Sequence, residues 1–530
     1  MDLLIQFLSF AAVGLLVLLV FNQLWIFAKG THIEKSKAGE VPEPPGAWPI
    51  IGHLLQLAAP QPLFRTLASM ADKHGPAFII RIGVHRTLVV SSWELAKECF
   101  TTNDKALASR PRSASGNLLT YNYAMLGFAP YGTYWREVRK WVMLELLSNR
   151  RLDSLKHIRY GEIDNCMKDL HGLWVKNNGN QIKVEMNRLF RDLTMNIVLK
   201  MVVGKRYFSV VEVGEEYNEE VQNIQKTTIE FFRLTGVSVA SDSIPFLGWM
   251  GFKGEESAMK RTAKEMDLII EKWLQEHKQK RQFAEKGDGD MQDFMDVMLS
   301  ILEEDAQFHG HHRDTVVKAT AMGIIIAATD TTAISLSWAL SLLLNNQQVL
   351  KRAKEELDRH VGKDSRNVEE KDISNLPYLH AIVKESLRLY PVGPLMIPHE
   401  AIEDCNVGGF RIIAGTRVLV NAWKIHRDPN IWSNPLEFQP ERFLTTHADV
   451  DVRGKNFELI PFGSGRRSCP GISFSLQTMH MMLARLLHEF ELGTPLDELV
   501  DMTEGTGLTL PKETPLEVLL TPRLSSHLYE

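Results

Sequence analysis

Hydrophobic and polar residues alternate with a helical period through most of the chain after about residue 54. The apolar positions predict amphipathic helices over residues 257–281, 347–360 and 379–390. Short runs rich in β-branched residues predict two hairpins, one built from residues 78–84 and 87–90 and the other from 410–413 and 416–420. The pattern therefore predicts a mainly α body with small β-sheets.

Within the stretch 314–344, residues 323–344 are apolar enough to suggest a helix that crosses a membrane. Asp330, Thr331 and Thr332 lie near its middle, and an aspartate at the centre of a bilayer costs about 2.5–3.5 kcal/mol. A helix that is apolar on all sides also suits the core of a large domain. We therefore predict a buried core helix, in which the acid and the hydroxyl groups need polar partners or a function.

The chain begins with an almost continuous apolar run from Leu3 to Ala28. This run is long enough to cross a hydrocarbon core of about 30 Å as a helix. A cleaved signal peptide is the alternative, but it needs a basic start and a shorter apolar run of roughly 7–15 residues. Lys29, Lys35 and Lys37 follow the run, and flanking lysines favour the cytosolic side. The sequence predicts an uncleaved single-pass anchor with the rest of the chain in the cytosol.

Prolines are concentrated in residues 42–49. Because proline fixes φ and lacks an N–H group, this segment is predicted to be stiff and non-helical. The expected organisation is a transmembrane anchor at 1–28, a basic and proline-rich linker at 29–53, and one catalytic domain at 54–530.

Composition excludes some functions. The net charge is -5 and no long arginine-rich arm is present, so nucleic-acid binding is not expected. The four cysteines are widely spaced, without a Cys-x-x-Cys pair, which argues against a structural zinc site or a disulfide framework. A cysteine with a chemical role would therefore act alone.

Cys469 is the candidate for that role. Gly463 and Gly465 permit a tight turn before it, and Pro470 suits the first turn of a helix over residues 472–490. A cysteine at a helix N-terminus is stabilised as a thiolate by the helix dipole and by free N–H groups. Such a thiolate suits an axial iron ligand or a nucleophile, while an inert cysteine beside a turn is the alternative.

The pattern Phe462-x-x-Gly465-x-Arg467-x-Cys469-x-Gly471 resembles the haem-binding loop of the cytochrome P450 superfamily at every defining position. Four further segments resemble motifs of that family, in the family's own order: Trp135-Arg-Glu-Val-Arg139, Ala327-Ala-Thr-Asp330-Thr331-Thr332, Glu385-Ser-Leu-Arg388 and Pro435-Leu-Glu-Phe-Gln-Pro-Glu-Arg442-Phe443. With the anchor and the proline segment, the resemblance covers essentially the whole chain, and the anchored form resembles the microsomal class. The segments Ala258-Met-Lys-Arg-Thr-Ala-Lys-Glu265, Asp501-Met-Thr-Glu504 and Pro515-Leu-Glu-Val518 resemble a plant group that serves specialised metabolism. The resemblance implies the cytochrome P450 fold.

The resemblance also implies haem b as the cofactor, with the Cys469 thiolate as the axial ligand of its iron and Phe462 in the same loop. Two anionic propionates in a buried site need fixed cations and donors. The positions that match are Arg467, Arg139 and Trp135, and His399 stands where the family often has a basic propionate partner. Glu385, Arg388 and Arg442 would form an internal structural clamp that supports the haem loop.

Asp330 and Thr331 carry the oxygen chemistry in this interpretation. Cleavage of the O–O bond needs two protons, which the threonine hydroxyl delivers through a bound water while the acid connects that water to solvent. The thiolate donates electron density that favours the cleavage. Ala328 departs from the family pattern, which more often has glycine there, and its methyl group is expected to narrow the oxygen groove.

Two electrons per turnover must come from outside, because no dinucleotide-binding loop or flavin module is present. The resemblance implies an NADPH-cytochrome P450 reductase as partner, and an endoplasmic reticulum location. The expected function is the insertion of one oxygen atom of O₂ into a small lipophilic plant metabolite: an alkaloid, flavonoid, coumarin or terpenoid. The alternatives are an oxygen-independent rearrangement or phenol coupling on the same fold, and a non-catalytic membrane-tethered binding protein.

Overall fold

The computed structural model describes residues 39–58, 60–209, 219–237, 239–244, 254–283, 293–303 and 307–529. The predicted membrane anchor at 1–28 and the basic part of the linker lie outside the described residues. Within them the fold is mainly helical with small sheets at its edges, as the hydrophobic pattern predicted.

The α-helices are α1 Leu54–Leu57, α2 Leu63–His74, α3 Trp93–Phe100, α4 Ala114–Leu118, α5 Thr133–Trp141, α6 Asn149–Ser154, α7 Lys156–Lys176, α8 Met186–Val203, α9 Glu219–Thr235, α10 Ala240–Ser243, α11 Gly254–Phe283, α12 Phe294–Ile301, α13 Arg313–Asn345, α14 Gln347–Leu357, α15 Glu370–Ile373, α16 Pro377–Leu389, α17 Ala422–Ile425 and α18 Ile472–Glu489. The three predicted amphipathic helices correspond to α11, α14 and α16, with ends that differ by a few residues. The predicted helix after Cys469 is α18.

The strands are β1 Ala77–Ile82, β2 His85–Val90, β3 Ile182–Glu185, β4 Gln307–Phe308, β5 His311–His312, β6 His399–Glu400, β7 Cys405–Val407, β8 Phe410–Ile412, β9 Arg417–Val420, β10 Phe490–Gly493 and β11 Glu517–Pro522. One sheet has the order β1-β2-β9-β6 and another has the order β10-β11-β3. In the first sheet, β1 and β2 form the predicted antiparallel hairpin.

The second predicted hairpin is wrong. Strands form near both predicted positions, but β8 pairs with β7, and β9 pairs with β2 in parallel. The turn between β7 and β8 is Gly408-Gly409, with φ of +60° and +78°. A two-residue turn of this kind needs positive φ at both central positions, which glycine adopts without strain. This turn, rather than Ala414-Gly415, closes the hairpin.

Helix α13 is the core helix that the sequence predicted. It is apolar enough to cross a membrane, yet 67% of its most apolar window is buried inside the protein. Ser337 and Ser341 satisfy their hydroxyl groups on backbone carbonyl groups one turn earlier. Trp338 is fully buried, donates to the Leu510 carbonyl at 2.7 Å and stacks on Tyr390. These polar groups of the buried helix are therefore paired inside the protein, whereas the buried hydroxyl groups of Thr320 and Thr332 have no partner among the described residues.

The proline-rich segment is non-helical, as predicted, and it packs against the body. The Pro42 carbonyl accepts from the Ile79 N–H at 2.8 Å. The buried His53 ring lies 3.0 Å from the Pro44 carbonyl oxygen. These contacts hold the segment against β1.

Candidate active site

The loop that carries Cys469 is a tight turn before α18. Gly463 and Gly465 have φ of +70° and +65°, which confirms the predicted left-handed turn. A Cβ atom at Gly465 would lie 2.5 Å from Asp104 Oδ1. Glycine is therefore required there for space as well as for conformation.

Two backbone hydrogen bonds fix Cys469 within this turn. Its own N–H donates to the Phe462 carbonyl at 2.9 Å, and the Gly471 N–H donates to its Sγ at 3.3 Å. Burial raises the pKa of the Cys469 thiol, while the Gly471 N–H and the Arg139 charge act in the opposite direction. Pro470 lies in the turn before α18 rather than in its first turn, because the helix begins at Ile472.

Cys469 lines an interior cavity of about 370 Å³ with mainly apolar walls. Residues from 120–128, 231–234, 392–396 and 506–508, together with Gly323 and Ala327, contribute to it. The described residues that do so from those segments are Met125, Leu126, Gly127, Phe128, Phe231, Phe232, Gly323, Ala327, Val392, Gly393, Met396 and Leu508. Elements distant in sequence thus meet around one cysteine.

Three arginines, Arg110, Arg139 and Arg467, line the same cavity, while none of the described residues that line it is acidic. Arg467 donates to the Ala108 carbonyl at 2.6 Å, and Arg139 donates to the Ser468 carbonyl at 2.8 Å. Burial, together with repulsion from the Arg110 and Arg139 charges, lowers the pKa of Arg467 to about 8. Burial, together with the Arg139 charge, lowers the pKa of Arg110 to about 9. The cavity wall therefore carries positive charge suited to an anionic ligand.

Trp135 and His399 line the cavity beside these arginines. The Arg467 guanidinium lies 4.3 Å from the centre of the Trp135 ring. His399 Nδ1 lies 2.7 Å from the Leu107 carbonyl oxygen and therefore donates to it. Burial, with the Arg110 and Arg467 charges, holds the pKa of His399 well below its usual value. His399 is thus neutral here, and its expected role as a basic propionate partner stays a prediction.

Asp330 and Thr331 face different spaces, because successive residues of a helix point about 100° apart. Thr331 lines the main cavity, and its hydroxyl donates to the Ala327 carbonyl at 2.6 Å. Asp330 lines a second cavity of about 20 Å³ together with Arg191, which is room for about one water molecule. Burial raises the pKa of Asp330 to about 6, opposed by the Arg191 charge and the Thr509 hydroxyl.

Glu385, Arg388 and Arg442 form the predicted contacts with one another. Glu385 Oε2 accepts from Arg388 Nε at 2.7 Å, and its Oε1 accepts from Arg442 Nε at 3.0 Å. All three side chains are buried. Arg388 also donates to the His426 and Pro435 carbonyls. The clamp therefore joins α16 to the segment that precedes the cysteine loop.

The comparisons with known proteins identify the family. A model described as cytochrome P450 matches residues 42–518. The chain belongs to the cytochrome P450 family. Strychnine-10-hydroxylase of Strychnos nux-vomica is 52% identical over 98% of each chain. A xanthotoxin 5-hydroxylase of Arabidopsis thaliana is 50% identical over 97% of this chain and 98% of the relative. A solved zebra fish cytochrome P450 with progesterone gives a TM-score of 0.73 at 26% identity, covering 87% of this chain and 100% of that one.

The protein is thus a cytochrome P450 monooxygenase, and the family implies a haem with a cysteine-thiolate ligand. The residues present fit that group. A cysteine and three arginines line one apolar cavity, and none of the three arginines has an ion-pair partner in the part of the chain that the structure describes. These features match an iron ligand, two carboxylates and a large apolar ring. Cys469, Arg110, Arg139, Arg467 and Trp135 are the residues that would hold it.

Sequence reasoning missed three residues of this cytochrome P450 site. Arg110 follows a short apolar run, and nothing in its spacing connects it with Cys469. His426 accepts from the Ile460 N–H at 2.9 Å and so links the clamp to the start of the cysteine loop. Thr509 lines the main cavity and also affects Asp330. All three act through contacts between segments that are distant in sequence, and no local motif indicates such contacts.

Proposed function

We propose that this cytochrome P450 hydroxylates a small lipophilic plant metabolite of the alkaloid, flavonoid, coumarin or terpenoid type, with electrons from NADPH through a separate reductase. The observation that carries this proposal is the apolar cavity shared by Cys469, Thr331 and the aromatic side chains of Phe128, Phe231 and Phe232. An apolar pocket with few polar groups suits a lipophilic substrate. The two plant relatives, named as hydroxylases of strychnine and xanthotoxin, support the same substrate type.

In this proposal haem, when bound, supplies the activation of dioxygen that places one oxygen atom on the substrate. Cys469 would bind its iron, with Phe462 in the same loop, while Arg467, Arg139 and Trp135 would hold its carboxylates. Arg110 joins that set because it is buried, cationic and without an ion pair among the described residues. Glu385, Arg388 and Arg442 keep the loop in place without touching the reacting atoms.

Thr331 and Asp330 deliver protons in this proposal. The Thr331 hydroxyl donates to a backbone carbonyl and keeps its lone pairs for a water in the main cavity. Asp330 faces the small second cavity, so protons reach it from the side opposite the substrate. The two adjacent residues of α13 thus form a relay between the two cavities, with Thr509 lining the main cavity and hydrogen-bonded to Asp330.

Replacement of Asp330 by asparagine tests this relay. An acid with a pKa of about 6 donates protons most readily below that pH, so turnover limited by proton delivery should fall as pH rises through about 6. The variant cannot relay protons, so we expect turnover roughly 100-fold lower and no inflection near pH 6. The measurement is the pH profile of product formation with reductase in excess. Asp314→Asn on the same helix is the matched control, and an Asp330 variant with an unchanged profile contradicts the relay.

The location of the chain in the cell and its contact with the reductase are also proposals. Residues 1–28 would anchor the protein in the endoplasmic reticulum membrane by a single span. Residues 29–53 would link this anchor to the catalytic domain at 54–530, and that domain would face the cytosol.

Arg136, Lys140 and Arg466 are exposed near the cysteine loop. The Arg136 and Arg466 guanidinium groups both lie over the Tyr131 ring. This positive surface would contact the reductase.

Charge reversal of Arg136, Lys140 and Arg466 to glutamate should slow reduction about tenfold at low salt. The physical reason is the loss of electrostatic steering, which salt screens, so the difference should shrink at high ionic strength. Stopped-flow reduction of the haem by the reductase measures it. Lys351→Glu, at an exposed position on α14, is the control. Equal reduction rates for the triple variant and the wild type at low salt would remove this surface from the proposal.

The substrate class is tested by titration of the purified protein with panels of plant alkaloids, flavonoids, coumarins and terpenoids. Displacement of water from the haem should shift the absorption spectrum for compounds that bind, and turnover under ¹⁸O₂ should place one labelled atom in the product. A product without label points to rearrangement or phenol coupling. Binding without any turnover in the presence of reductase points to a non-catalytic protein.

A further inference from the structure

His277, Asp293 and Asp296 form a cluster where α11 ends and α12 begins, outside the cavity that Cys469 lines. One potential ligand atom of each residue lies within 4.8 Å of those of the other two. His277 and Asp296 are only 7% and 9% exposed. The cluster therefore brings one imidazole and two carboxylates together in a largely buried place.

The hydrogen bonds of His277 define its state. Nδ1 lies 2.7 Å from the Trp273 carbonyl oxygen, and Nε2 lies 2.8 Å from Asp293 Oδ2. Because a carbonyl only accepts, Nδ1 carries a hydrogen atom. By the same rule Nε2 carries a hydrogen atom toward the Asp293 carboxylate, so without a metal ion the ring is a cation paired with Asp293. A metal ion would displace the Nε2 hydrogen as a proton, while Nδ1–H stays on the Trp273 carbonyl, as the second nitrogen of metal-bound histidines does.

Asp296 provides the independent observation. Its carboxylate takes part in no hydrogen bond or ion pair among the described residues, although the residue is nine-tenths buried. Arg281 is nearby but donates to the Asp296 backbone carbonyl at 2.9 Å. A buried carboxylate without a partner is costly unless a cation compensates it. The carboxylate faces His277 and Asp293, so the missing partner belongs between the three.

Asp293 is oriented by its own helix. Its Oδ1 accepts from the Asp296 N–H at 3.0 Å as the N-cap of α12, which leaves Oδ2 toward His277. Nearby cations partly offset the negative charge of the cluster. Arg151 acts on Asp293, and Lys280 and Arg281 act on Asp296. A bound ion must therefore gain from direct coordination rather than from long-range attraction. One imidazole nitrogen and two carboxylate oxygens suit a borderline divalent ion.

We propose that His277, Asp293 and Asp296 bind one divalent transition-metal ion, with Zn²⁺ as the best match. Bonds of about 2.0–2.2 Å in a tetrahedron place ligand atoms ~3.4 Å apart, so small side-chain rotations close the site and a water completes it. The ion would join the end of α11 to the start of α12. Phe294, which follows Asp293 in the chain, lines the main cavity. The ion would therefore hold one part of the substrate pocket in position.

Equilibrium dialysis of the EDTA-treated holoenzyme against ZnCl₂ tests the site. The wild type should bind one equivalent of zinc, while Asp296→Asn and His277→Gln should bind it at least about tenfold more weakly. His309→Gln removes an exposed histidine and should retain the equivalent. Zinc uptake by Asp296→Asn equal to that of the wild type overturns the proposal.

Two further readouts keep the test decisive. The haem content of each variant reports whether it is folded, independently of zinc. Zinc should raise the thermal midpoint of the wild type and of His309→Gln, because a ligand that binds only the folded state stabilises it. A wild-type midpoint unchanged by zinc, together with no zinc uptake, means that His277 is a protonated partner of Asp293 and that no metal site exists.

Discussion

Replacement of Cys469 by serine is expected to abolish NADPH-dependent turnover and to remove most of the bound haem. Serine is close to cysteine in size, so the Gly463–Gly465 turn should still form. Its hydroxyl does not ionise at neutral pH and cannot donate electron density as a thiolate does. Turnover should fall below detection, a loss of more than about 1000-fold, in an assay with reductase and a binding substrate.

Cys405 is the matched control for this substitution. It is a free cysteine, half-buried at the start of β7 and not among the residues that line the cavity. Cys405→Ser should keep its haem and its turnover. Full activity in Cys469→Ser, or equal losses in both variants, would show that the sulfur of Cys469 has no special role.

Replacement of Glu385 by glutamine is expected to have the largest effect on stability. Arg388 and Arg442 both bind the Glu385 carboxylate in a site with almost no exposure, at 2.7 Å and 3.0 Å. Removal of that charge leaves two buried guanidinium groups without an anion, which costs about 3–5 kcal/mol. We expect little soluble holoenzyme, and a lower urea midpoint for whatever protein folds.

The chain offers a control with the same spacing. Glu230 and Arg233 form a second Glu-x-x-Arg pair, at 2.9 Å, on the surface of α9, where the two side chains are 32% and 49% exposed. Glu230→Gln should cost no more than about 1 kcal/mol, because solvent screens an exposed ion pair. Similar losses of unfolding free energy in the two variants would contradict the role assigned to the buried clamp.

These two pairs show what the sequence can and cannot predict. Both have the same residues at the same spacing, and both form the ion pair that i, i+3 spacing favours. Burial separates them, and burial depends on which segments pack against each helix. The buried contacts of Glu385 were predicted because its motif stands in order with the other motifs of the cytochrome P450 family, while its role in supporting the haem loop stays a prediction.

Local structure was predicted correctly where a single short segment contains all the residues that the structure needs. The turn before Cys469 needs two glycines with positive φ, and both are in the same short segment. The partners of β8 and β9 were predicted wrongly, because pairing depends on strands distant in sequence. The different directions of Asp330 and Thr331 follow from helix geometry, but the two cavities that they face are formed by other elements.

The absorption spectrum of the reduced wild-type protein under carbon monoxide tests the central claim most directly. The account predicts the far-red-shifted Soret band of a haem whose iron is bound by a thiolate, and the loss of that band in Cys469→Ser. A protein that binds haem but lacks the shifted band, or one that stays colourless with haem supplied in excess, would contradict it.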